Sequence, residues 1–317
     1  MAHGKDIKII SGNSNSDFAE SVSKSLSIRL CDTEVTTFPD GEISVSMNES
    51  VRGSDVFIIQ STCFPVNDNL IEMLILIDAC RRASASSVTA VMPYFGYARQ
   101  DRKAKPRDPI SAKLVANLIV SAGADRVLTM DLHATQIQGF FDIPVDHMLA
   151  APLFADHYQK QFSDTSDVMV VSPDAGSVRR ARAFADRMGM GLAVLDKRRD
   201  DANQVHAMNI IGDVEGMRII LFDDIVDTAG TFCEAVRALE EIGGAREIYG
   251  CASHGVLSDK AIERIENCNI KELLFTDTIP FRGEELPKKI KYLSAAPLFA
   301  EAIGRIFEEV PVSTLFR

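Results

Sequence analysis

Short apolar runs alternate with longer stretches of helical periodicity along this chain, and that alternation constrains the fold more than any other feature. The apolar runs predict strands at 7–10, 56–60, 88–92, 127–130, 168–171, 192–195, 219–222 and 248–251. The intervening periodicity predicts helices at 68–82, 110–122, 178–188 and 231–242. Strands and helices in alternation are typical of βαβ units, so we predict an α/β fold around mainly parallel sheets.

The two halves of the chain also resemble each other. SVRGSDVFIIQS, a helix and SASSVTAVMPYFGYAR in the first half align with DVEGMRIILFDD, a helix and GGAREIYGCASHGVLS in the second. The length of 317 residues is about twice that of a usual domain. We therefore predict two doubly wound domains related by pseudo-duplication, 1–149 and 150–317, with ligands bound beyond the carboxyl ends of the strands.

Composition excludes several classes of protein. The 46% hydrophobic and 25% charged fractions are those of an ordinary globular chain. No segment approaches the roughly 20 apolar residues of a membrane helix, and the N-terminal segment lacks the apolar centre of a secretory signal, so we expect a cytoplasmic protein with no membrane partner. The six cysteines form no CxxC pair, and a net charge of −11 opposes nucleic-acid binding.

Three short basic clusters stand out against this acidic background, at 99–107, 179–182 and 197–199. An isolated charge run is usually a solvated surface. These clusters, however, lie beside Gly-rich or Asp-rich turns, which favours small polyanions as ligands. Because the chain has no Walker phosphate loop, a triphosphate would have to be bound by scattered basic residues and a metal.

The strongest local signal is the string ILFDDIVDTAGT at 220–231. An apolar strand leads to the adjacent carboxylates Asp223 and Asp224, and a tight turn then opens a helix. Carboxylates accept hydrogen bonds from vicinal hydroxyls, whereas backbone N–H groups and Thr hydroxyls at a helix N-terminus suit a phosphate. A bare DxxGT would be read as an ordinary capped helix, but the complete string predicts a site for a phosphorylated sugar.

This string resembles the 5-phosphoribosyl-1-diphosphate (PRPP) motif shared by phosphoribosyltransferases and ribose-phosphate pyrophosphokinases. Five further segments look like the second family only, and they occur in its order over nearly the whole chain: FPDGE, YARQDRK, TMDLHATQIQGFFDIPVDH, SPDAGSVRRAR and LDKRR. The resemblance implies two domains of phosphoribosyltransferase type. It also implies transfer of the β,γ-diphosphoryl group of ATP to the C1 hydroxyl of ribose 5-phosphate, giving PRPP and AMP, a step of nucleotide biosynthesis.

The resemblance assigns roles to residues of the second half. The ribose 5-phosphate ligands would be Asp223, Asp224, Asp227, Thr228, Ala229, Gly230 and Thr231. The loop that faces the diphosphate would be Asp174, Ala175, Gly176 and Ser177. Members of the family usually have Gly where this chain has Ser177, so a positive φ there would strain the serine. Lys197 and Arg199 resemble the catalytic residues of a mobile loop, where positive charge stabilises the transferring group.

The nucleotide and metal assignments come from the same resemblance. ATP would be bound by Phe38, Asp40, Glu42, Arg99, Gln100, Asp101 and His133. The cofactor would be Mg²⁺, with His133 and Asp174 as ligands. Taken alone, FPDGE predicts only a hairpin turn, and magnesium prefers oxygen ligands.

Regulation and assembly are also implied by the resemblance. We expect a homo-oligomer, a hexamer, that is activated by phosphate and inhibited by ADP. The allosteric contacts would be made by Ser50, Arg52, Ser84, Arg107 and Ser313. Two other functions remain open: a phosphoribosyltransferase that consumes PRPP, and a catalytically silent regulatory subunit. A phosphoribosyltransferase would have no need of the FPDGE, YARQD and DKRR segments. Loss of DKRR would have favoured the regulatory subunit, but this chain retains that segment.

Overall fold

The computed structural model describes residues 6–197 and 208–316, which belong to two compact units. The first unit comprises the described residues up to Leu149, Asp277–Pro280 and the described residues from Ser294 onward. The second comprises the described residues of Ala150–Thr276 and Phe281–Leu293. This division differs from the predicted domains 1–149 and 150–317, because the chain re-enters the first unit after the second is built.

The first unit contains one parallel sheet and a separate hairpin. Its elements up to Leu149 are β1 (Ile7–Ser11), α1 (Ser16–Leu26), β2 (Thr33–Thr37), β3 (Ile43–Met47), β4 (Asp55–Ile59), α2 (Val66–Arg82), β5 (Ser87–Met92), α3 (Ser111–Ala122), β6 (Arg126–Met130), a 3-10 helix (Thr135–Phe140) and β7 (Val145–Met148). The sheet has the order β1-β4-β5-β6-β7 with every neighbour parallel. Leu30 adds a single parallel bridge to Ile9 of β1. Strands β2 and β3 form the antiparallel hairpin.

The second unit contains a larger sheet. Its elements are α4 (Ala151–Gln161), β8 (Val168–Ser172), α5 (Val178–Met188), β9 (Gly191–Lys197), β10 (Met208–Ile211), β11 (Arg218–Val226), α6 (Gly230–Glu241), β12 (Glu247–Gly255), α7 (Ala261–Glu266), β13 (Glu272–Thr276) and β14 (Ile290–Leu293). The strand order is β10-β9-β8-β11-β12-β13-β14, and only β10 is antiparallel to its neighbour. The order reverses between β8 and β11, which makes this pair the topological switch point.

Burial explains why these segments fold as they do. Strand β4 is buried along its whole length and β13 likewise, as expected for parallel strands whose two faces are both covered. Helix α6 buries Phe232, Val236 and Leu239 on one face, which is the spacing of an amphipathic helix. Among the helices of the described residues, none combines the length and the apolar character that crossing a membrane requires.

The predicted fold class is confirmed, and the predicted strands and helices all overlap observed ones. Several elements were not predicted: α1, β7, α4, β10, α7, β13, β14, the two strands that flank the predicted FPDGE turn, and a final helix, α8 (Ala296–Phe307), which precedes a 3-10 helix (Val312–Phe316). Strand β11 also runs further than the predicted 219–222, so both Asp223 and Asp224 lie within it.

The duplication extends to a helix that follows the last strand of each unit but belongs to the other unit. Helix α4 begins with APLFA after β7, and α8 begins with APLFA after β14. Helix α4 belongs to the second unit and packs near α5, whereas α8 belongs to the first and packs on α1. The rings of Phe18 and Phe299 meet edge to face there, with centroids 5.4 Å apart. Each unit therefore contains the helix that follows the last strand of the other unit.

Candidate functional site

The predicted ribose and diphosphate residues lie together at the carboxyl ends of β8 and β11. The segment 173–177 follows β8 and leads into α5, and the segment 227–229 follows β11 and leads into α6. Because β8 and β11 are parallel neighbours, both segments lie at the same edge of the sheet. This edge is the switch point, where open α/β sheets bind ligands.

Two adjacent carboxylates form the floor of this edge. Asp224 is buried, and its Oδ1 lies 2.5 Å from Nη1 of Arg180 in the first turn of α5. Asp223 accepts hydrogen bonds on Oδ1 from the backbone N–H of Asp224 (2.8 Å) and from Oγ of Ser177 (3.1 Å). The arginine therefore compensates the charge of the second carboxylate.

The first carboxylate has an altered proton affinity. Desolvation by the surrounding protein raises the pKa of Asp223 to about 8, and the negative charges of Asp224 and Asp174 add to the effect. A side chain in this state holds a proton near neutral pH, so it can donate as well as accept a hydrogen bond. Such a pair suits the vicinal hydroxyls of a sugar, which are themselves both donors and acceptors.

The predicted phosphate loop is a tight turn at the N-terminus of α6. Ala229 adopts the left-handed conformation (φ 58°), and Gly230 is the first helical residue. The first N–H groups of a helix have no intrahelical acceptor and attract anions. In the described parts of the chain, the N–H groups of Thr228, Ala229, Gly230 and Thr231 donate to no backbone carbonyl. The turn can therefore offer them to a phosphate.

The predicted diphosphate loop is held by its own aspartate. Oδ1 of Asp174 accepts a hydrogen bond from the backbone N–H of Ser177 (2.8 Å), and Ala175 and Gly176 are exposed between them. Ser177 has φ −87° and ends the loop as the residue before α5. The serine therefore occupies the position without the backbone strain that the sequence comparison raised.

The predicted ATP residues lie in the first unit, in two places. Gln100 and Asp101 follow β5: Oε1 of Gln100 accepts from Ser111 Oγ (2.6 Å), and Oδ2 of Asp101 accepts from Gln136 Nε2 (2.9 Å). Arg99 precedes them and is exposed, as is His133, which follows β6. The bond from Gln136 ties the two segments together, because Gln136 belongs to the 3-10 helix just after His133.

Phe38, Asp40 and Glu42 lie elsewhere in this unit, in the turn between β2 and β3. The backbone N–H of Phe38 donates to the carbonyl of Glu42 (2.8 Å), and the N–H of Glu42 donates to Oδ1 of Asp40. The ring of Phe38 is 53% exposed. The hairpin that FPDGE predicts is confirmed, and its tip presents an aromatic face with two carboxylates beside it.

The oxygen donors fit a hard divalent cation with few protein ligands. No group of three or more His, Cys, Asp or Glu side chains in the described residues has the arrangement of a metal site. Asp174 has one carboxylate oxygen bonded to the backbone of Ser177. Magnesium bound through one or two side chains keeps water and substrate phosphate oxygens as its other ligands. Asp174 fits that kind of site.

The predicted catalytic residues are only partly described. Arg199 and the side chain of Lys197 lie outside the described residues. The backbone of Lys197 ends β9, whose Val194 pairs with Ser172 of β8. Lys197 is therefore three residues beyond the last position that pairs with β8, at the same edge of the sheet as the two loops.

The predicted allosteric residues are dispersed over the first unit. The turn before β4 contains Ser50 and Arg52, and the N–H of Gly53 in this turn donates to the carbonyl of Ser84 (2.9 Å). Arg107 and Ser313 belong to other segments, the second to the 3-10 helix after α8. The structure thus brings together Ser50, Arg52 and Ser84.

Residues that the sequence analysis did not assign also support the second-unit edge. Arg180 lies in the basic cluster 179–182, whose position beside the Gly-containing turn at 174–177 was the available signal. Ser258 and Arg264 hydrogen-bond to the phosphate loop, at Asp227 Oδ1 (2.5 Å) and the Thr228 carbonyl (2.6 Å). They lie about 30 residues further along the chain, where no motif marks them.

Comparisons with known proteins identify the family of this chain. Residues 7–123 match the family model of the N-terminal domain of ribose phosphate pyrophosphokinase, and residues 200–317 match that of the phosphoribosyl synthetase-associated domain. The chain is 60% identical to the ribose-phosphate pyrophosphokinase of Caldanaerobacter subterraneus, with 98% of each chain covered. It is 57% identical to that of Clostridium perfringens, with 99% of each covered. A crystal structure of phosphoribosylpyrophosphate synthetase from Mycobacterium smegmatis superposes with a TM-score of 0.91 at 43% identity, over 96% of this chain and 100% of that one.

Proposed function

Because this chain belongs to the ribose-phosphate pyrophosphokinase family, we infer that it transfers the β,γ-diphosphoryl group of ATP to the C1 hydroxyl of ribose 5-phosphate. The products are PRPP and AMP. The observation that carries this inference is the near full-length identity of 60% to a ribose-phosphate pyrophosphokinase. It extends over both units, whereas a phosphoribosyltransferase would share only the PRPP motif.

We propose that the sugar binds at the β8/β11 edge of the second unit. Asp223 and Asp224 receive the vicinal hydroxyls of the ribose, and the segment from Asp227 to Thr231 binds the 5-phosphate through N–H groups and the Thr228 and Thr231 hydroxyls. The ion pair with Arg180 supports this assignment, because it holds Asp224 in place before the sugar arrives. A preorganised acceptor loses less conformational entropy on binding.

The diphosphoryl group would lie against the loop from Asp174 to Ser177. We propose that Mg²⁺ is the cofactor, with Asp174 and His133 among its protein ligands, and that it supplies charge neutralisation and orientation of the phosphates. Lys197 and Arg199 place further positive charge on the transferring group. The position of the Lys197 backbone at this edge supports its part in the assignment.

The nucleotide would be held by residues of the first unit. Arg99, Gln100, Asp101 and His133 contact its phosphates and sugar in this proposal. The hairpin tip with Phe38, Asp40 and Glu42 provides an aromatic face and acceptors for the amino group of adenine. The exposure of the Phe38 ring supports this role, because an unstacked aromatic surface is available to a base.

We further propose a homohexamer that phosphate activates and ADP inhibits. Ser50, Arg52 and Ser84 would form part of the effector site, joined by Arg107 and Ser313. The proximity of Ser84 to the Ser50 turn supports the first three. Arg52→Ala should reduce the activation of the enzyme by added phosphate while leaving the protein oligomeric, as size-exclusion chromatography with light scattering would show.

The reaction itself is tested by product analysis. Purified protein supplied with Mg²⁺, ATP and ribose 5-phosphate is expected to form AMP and PRPP in equal amounts. Release of ADP would show a different kinase reaction. Turnover only with PRPP and a free base would show a phosphoribosyltransferase, and absence of any turnover would favour a regulatory subunit.

A further inference from the structure

The segment after β12 holds the phosphate loop from one side. Three consecutive loop carbonyls accept hydrogen bonds from it: Val226 from the N–H groups of Val256 (2.9 Å) and Leu257 (3.2 Å), Asp227 from the N–H of Ser258 (3.1 Å), and Thr228 from Nη1 of Arg264 (2.6 Å). The first two carbonyls are held by backbone. Only the third depends on a side chain.

The orientation of these carbonyls fixes the orientation of the N–H groups. In a planar trans peptide, the C=O and the N–H of the same unit point in opposite directions. The N–H groups of Asp227, Thr228 and Ala229 therefore point away from the segment after β12. Successive N–H groups turned to one side form an anion-binding concavity. The contacts behind the loop thus determine how it faces a phosphate.

The peptide between Thr228 and Ala229 most needs this support. Ala229 has a positive φ of 58°, a conformation that a residue with a Cβ adopts at an energetic cost. A rotation of this one peptide would relieve the cost and turn its N–H away from the ligand. The bond from Arg264 opposes that rotation, because a charged donor makes a stronger hydrogen bond than a neutral one.

Arg264 is itself held in place behind the loop. It lies on α7, and Nη2 is 3.4 Å from Oδ2 of Asp259. Ser258 adds a bond from its Oγ to Oδ1 of Asp227 (2.5 Å). The guanidinium therefore acts on the carbonyl side of the loop, and its effect on a phosphate passes through the peptide that it orients.

We propose that Arg264 is a positioning residue for the 5-phosphate of ribose 5-phosphate, a role that rests on the proposed function of this loop. By bonding the Thr228 carbonyl, it keeps the Ala229 N–H directed at the phosphate. Its loss weakens binding of the sugar phosphate and leaves the nucleotide and the chemical step unaffected.

The test compares three variants of the full-length enzyme. Arg264→Met keeps most of the side-chain length without a donor, and Arg264→Lys keeps a charged donor. Lys260→Ala removes a positive charge from an exposed position next to α7 as a matched control. The KM for ribose 5-phosphate should rise about tenfold in Arg264→Met, the size expected for loss of a charge-assisted hydrogen bond. The kcat and the KM for ATP should stay within about twofold. Arg264→Lys should recover most of the loss, and Lys260→Ala should match wild type.

Several results would overturn the proposal. A wild-type KM for ribose 5-phosphate in Arg264→Met would show that the contact has no effect on the ligand. An equal rise in Lys260→Ala would show that local charge is responsible. Parallel losses in kcat, in the KM for ATP and in Tm would show a structural role only.

A second measurement separates this proposal from the proposed function. Calorimetric affinity for ribose 5-phosphate, measured without turnover, should fall about tenfold in Arg264→Met even if wild type forms no PRPP. Unchanged affinity there would refute the role of Arg264 alone. If Arg264→Met does not fold, Arg264→Lys and Ser258→Ala decide the matter. Arg264→Lys should bind ribose 5-phosphate with near-normal affinity, and Ser258→Ala should lose affinity, though less than the tenfold expected for Arg264→Met. A larger loss in Arg264→Lys than in Ser258→Ala would contradict the proposal.

Discussion

The two units differ in what lies at the carboxyl ends of their central parallel strands. In the first, the segment after β1 is occupied by a carboxylate from within the unit: Glu72 of α2 accepts the backbone N–H of Asn13 (2.6 Å) and its side-chain amide (3.2 Å). Gln60, just beyond β4, donates to the same carboxylate (2.8 Å). Glu72 is only 5% exposed, so the first unit satisfies its own anion-binding loop.

The corresponding edge of the second unit is not filled in this way. There the residue that aligns with Gln60 is Asp223, within β11, so a carboxylate stands in place of an amide. We align the two helices by their first residues, Val66 of α2 and Gly230 of α6. The residue of α6 that then corresponds to Glu72 is Val236. Val236 is buried in the apolar core.

In the segment after β8, the carboxylate of Asp174 accepts the N–H of Ser177 from the same loop. In the described residues, the N–H groups from Thr228 to Thr231 donate to no backbone carbonyl, so the phosphate loop can offer them to a ligand. In the proposed function, a sugar phosphate would thus be an external anion at the second unit, where the first unit has the internal carboxylate of Glu72.

The largest effect that we expect is on kcat, and it tests whether the catalytic residues belong to the second unit. In the proposed mechanism, Lys197→Ala and Arg199→Ala should each lower kcat by roughly 10³, because each variant lacks a positive charge that would stabilise the transferring group. The KM for ribose 5-phosphate should change far less. Steady-state kinetics with both substrates varied would measure this, and Arg246→Ala, an exposed arginine paired with Asp167, is the control. A near-normal kcat in both variants would refute the assigned roles.

Removal of the Glu72 carboxylate would test the comparison from the first unit. Glu72→Ala leaves the Asn13 N–H and the Gln60 amide without their acceptor, so the free energy of unfolding should fall by about 3 kcal/mol. The KM for ribose 5-phosphate should stay within about twofold. Asp224→Ala should instead give a large rise in that KM, because it removes a proposed ligand of the sugar hydroxyls. Chemical denaturation and kinetics on both variants would be measured together. A Glu72→Ala protein that binds the sugar as poorly as Asp224→Ala would break the comparison.

A third test concerns pH and follows from the raised pKa of Asp223, about 8 against an ordinary 3.8. Between these values the folded protein binds more protons at this site than the unfolded chain. The stability contributed by the protonated carboxyl is therefore complete below pH 3.8 and is lost as pH rises through 8. Asp223→Asn should flatten the fall in Tm over this range in the absence of ligand. An unchanged pH slope in the variant would show that Asp223 does not titrate as described.

The raised pKa of Glu72 provides a reference for this experiment. Burial raises it, while hydrogen bonds from Asn13 and Gln60 oppose the shift. The Glu72→Gln variant should therefore alter the pH dependence of Tm through the first unit. Comparing it with Asp223→Asn would assign the slope to one unit or the other.

The sequence predicted the alternating core of both units because buried parallel strands are continuous apolar runs. It also predicted Asp223, Asp224 and the following turn as one group, since they are contiguous. Helix α1 escaped prediction because SDFAESVSKSL is largely polar and buries only Phe18, Ala19 and Val22. Arg264 and Glu72 escaped for a different reason. Their contacts join segments far apart in sequence, and nothing in an isolated ERIE or IEML indicates which loop the side chain reaches.

The exchanged APLFA helices have a consequence for the order in which the protein can form on the ribosome. Helix α8 is synthesised after every strand of the second unit, yet it covers α1, which was made near the start. The second unit, by contrast, already has α4 before its first strand emerges. The first unit therefore begins to be synthesised first but receives its last helix after the second unit. Until α8 is synthesised, the apolar face around Phe18 lacks its contact with Phe299. Nascent chains stalled just before residue 296 should leave that face available to chaperones that bind exposed apolar surface.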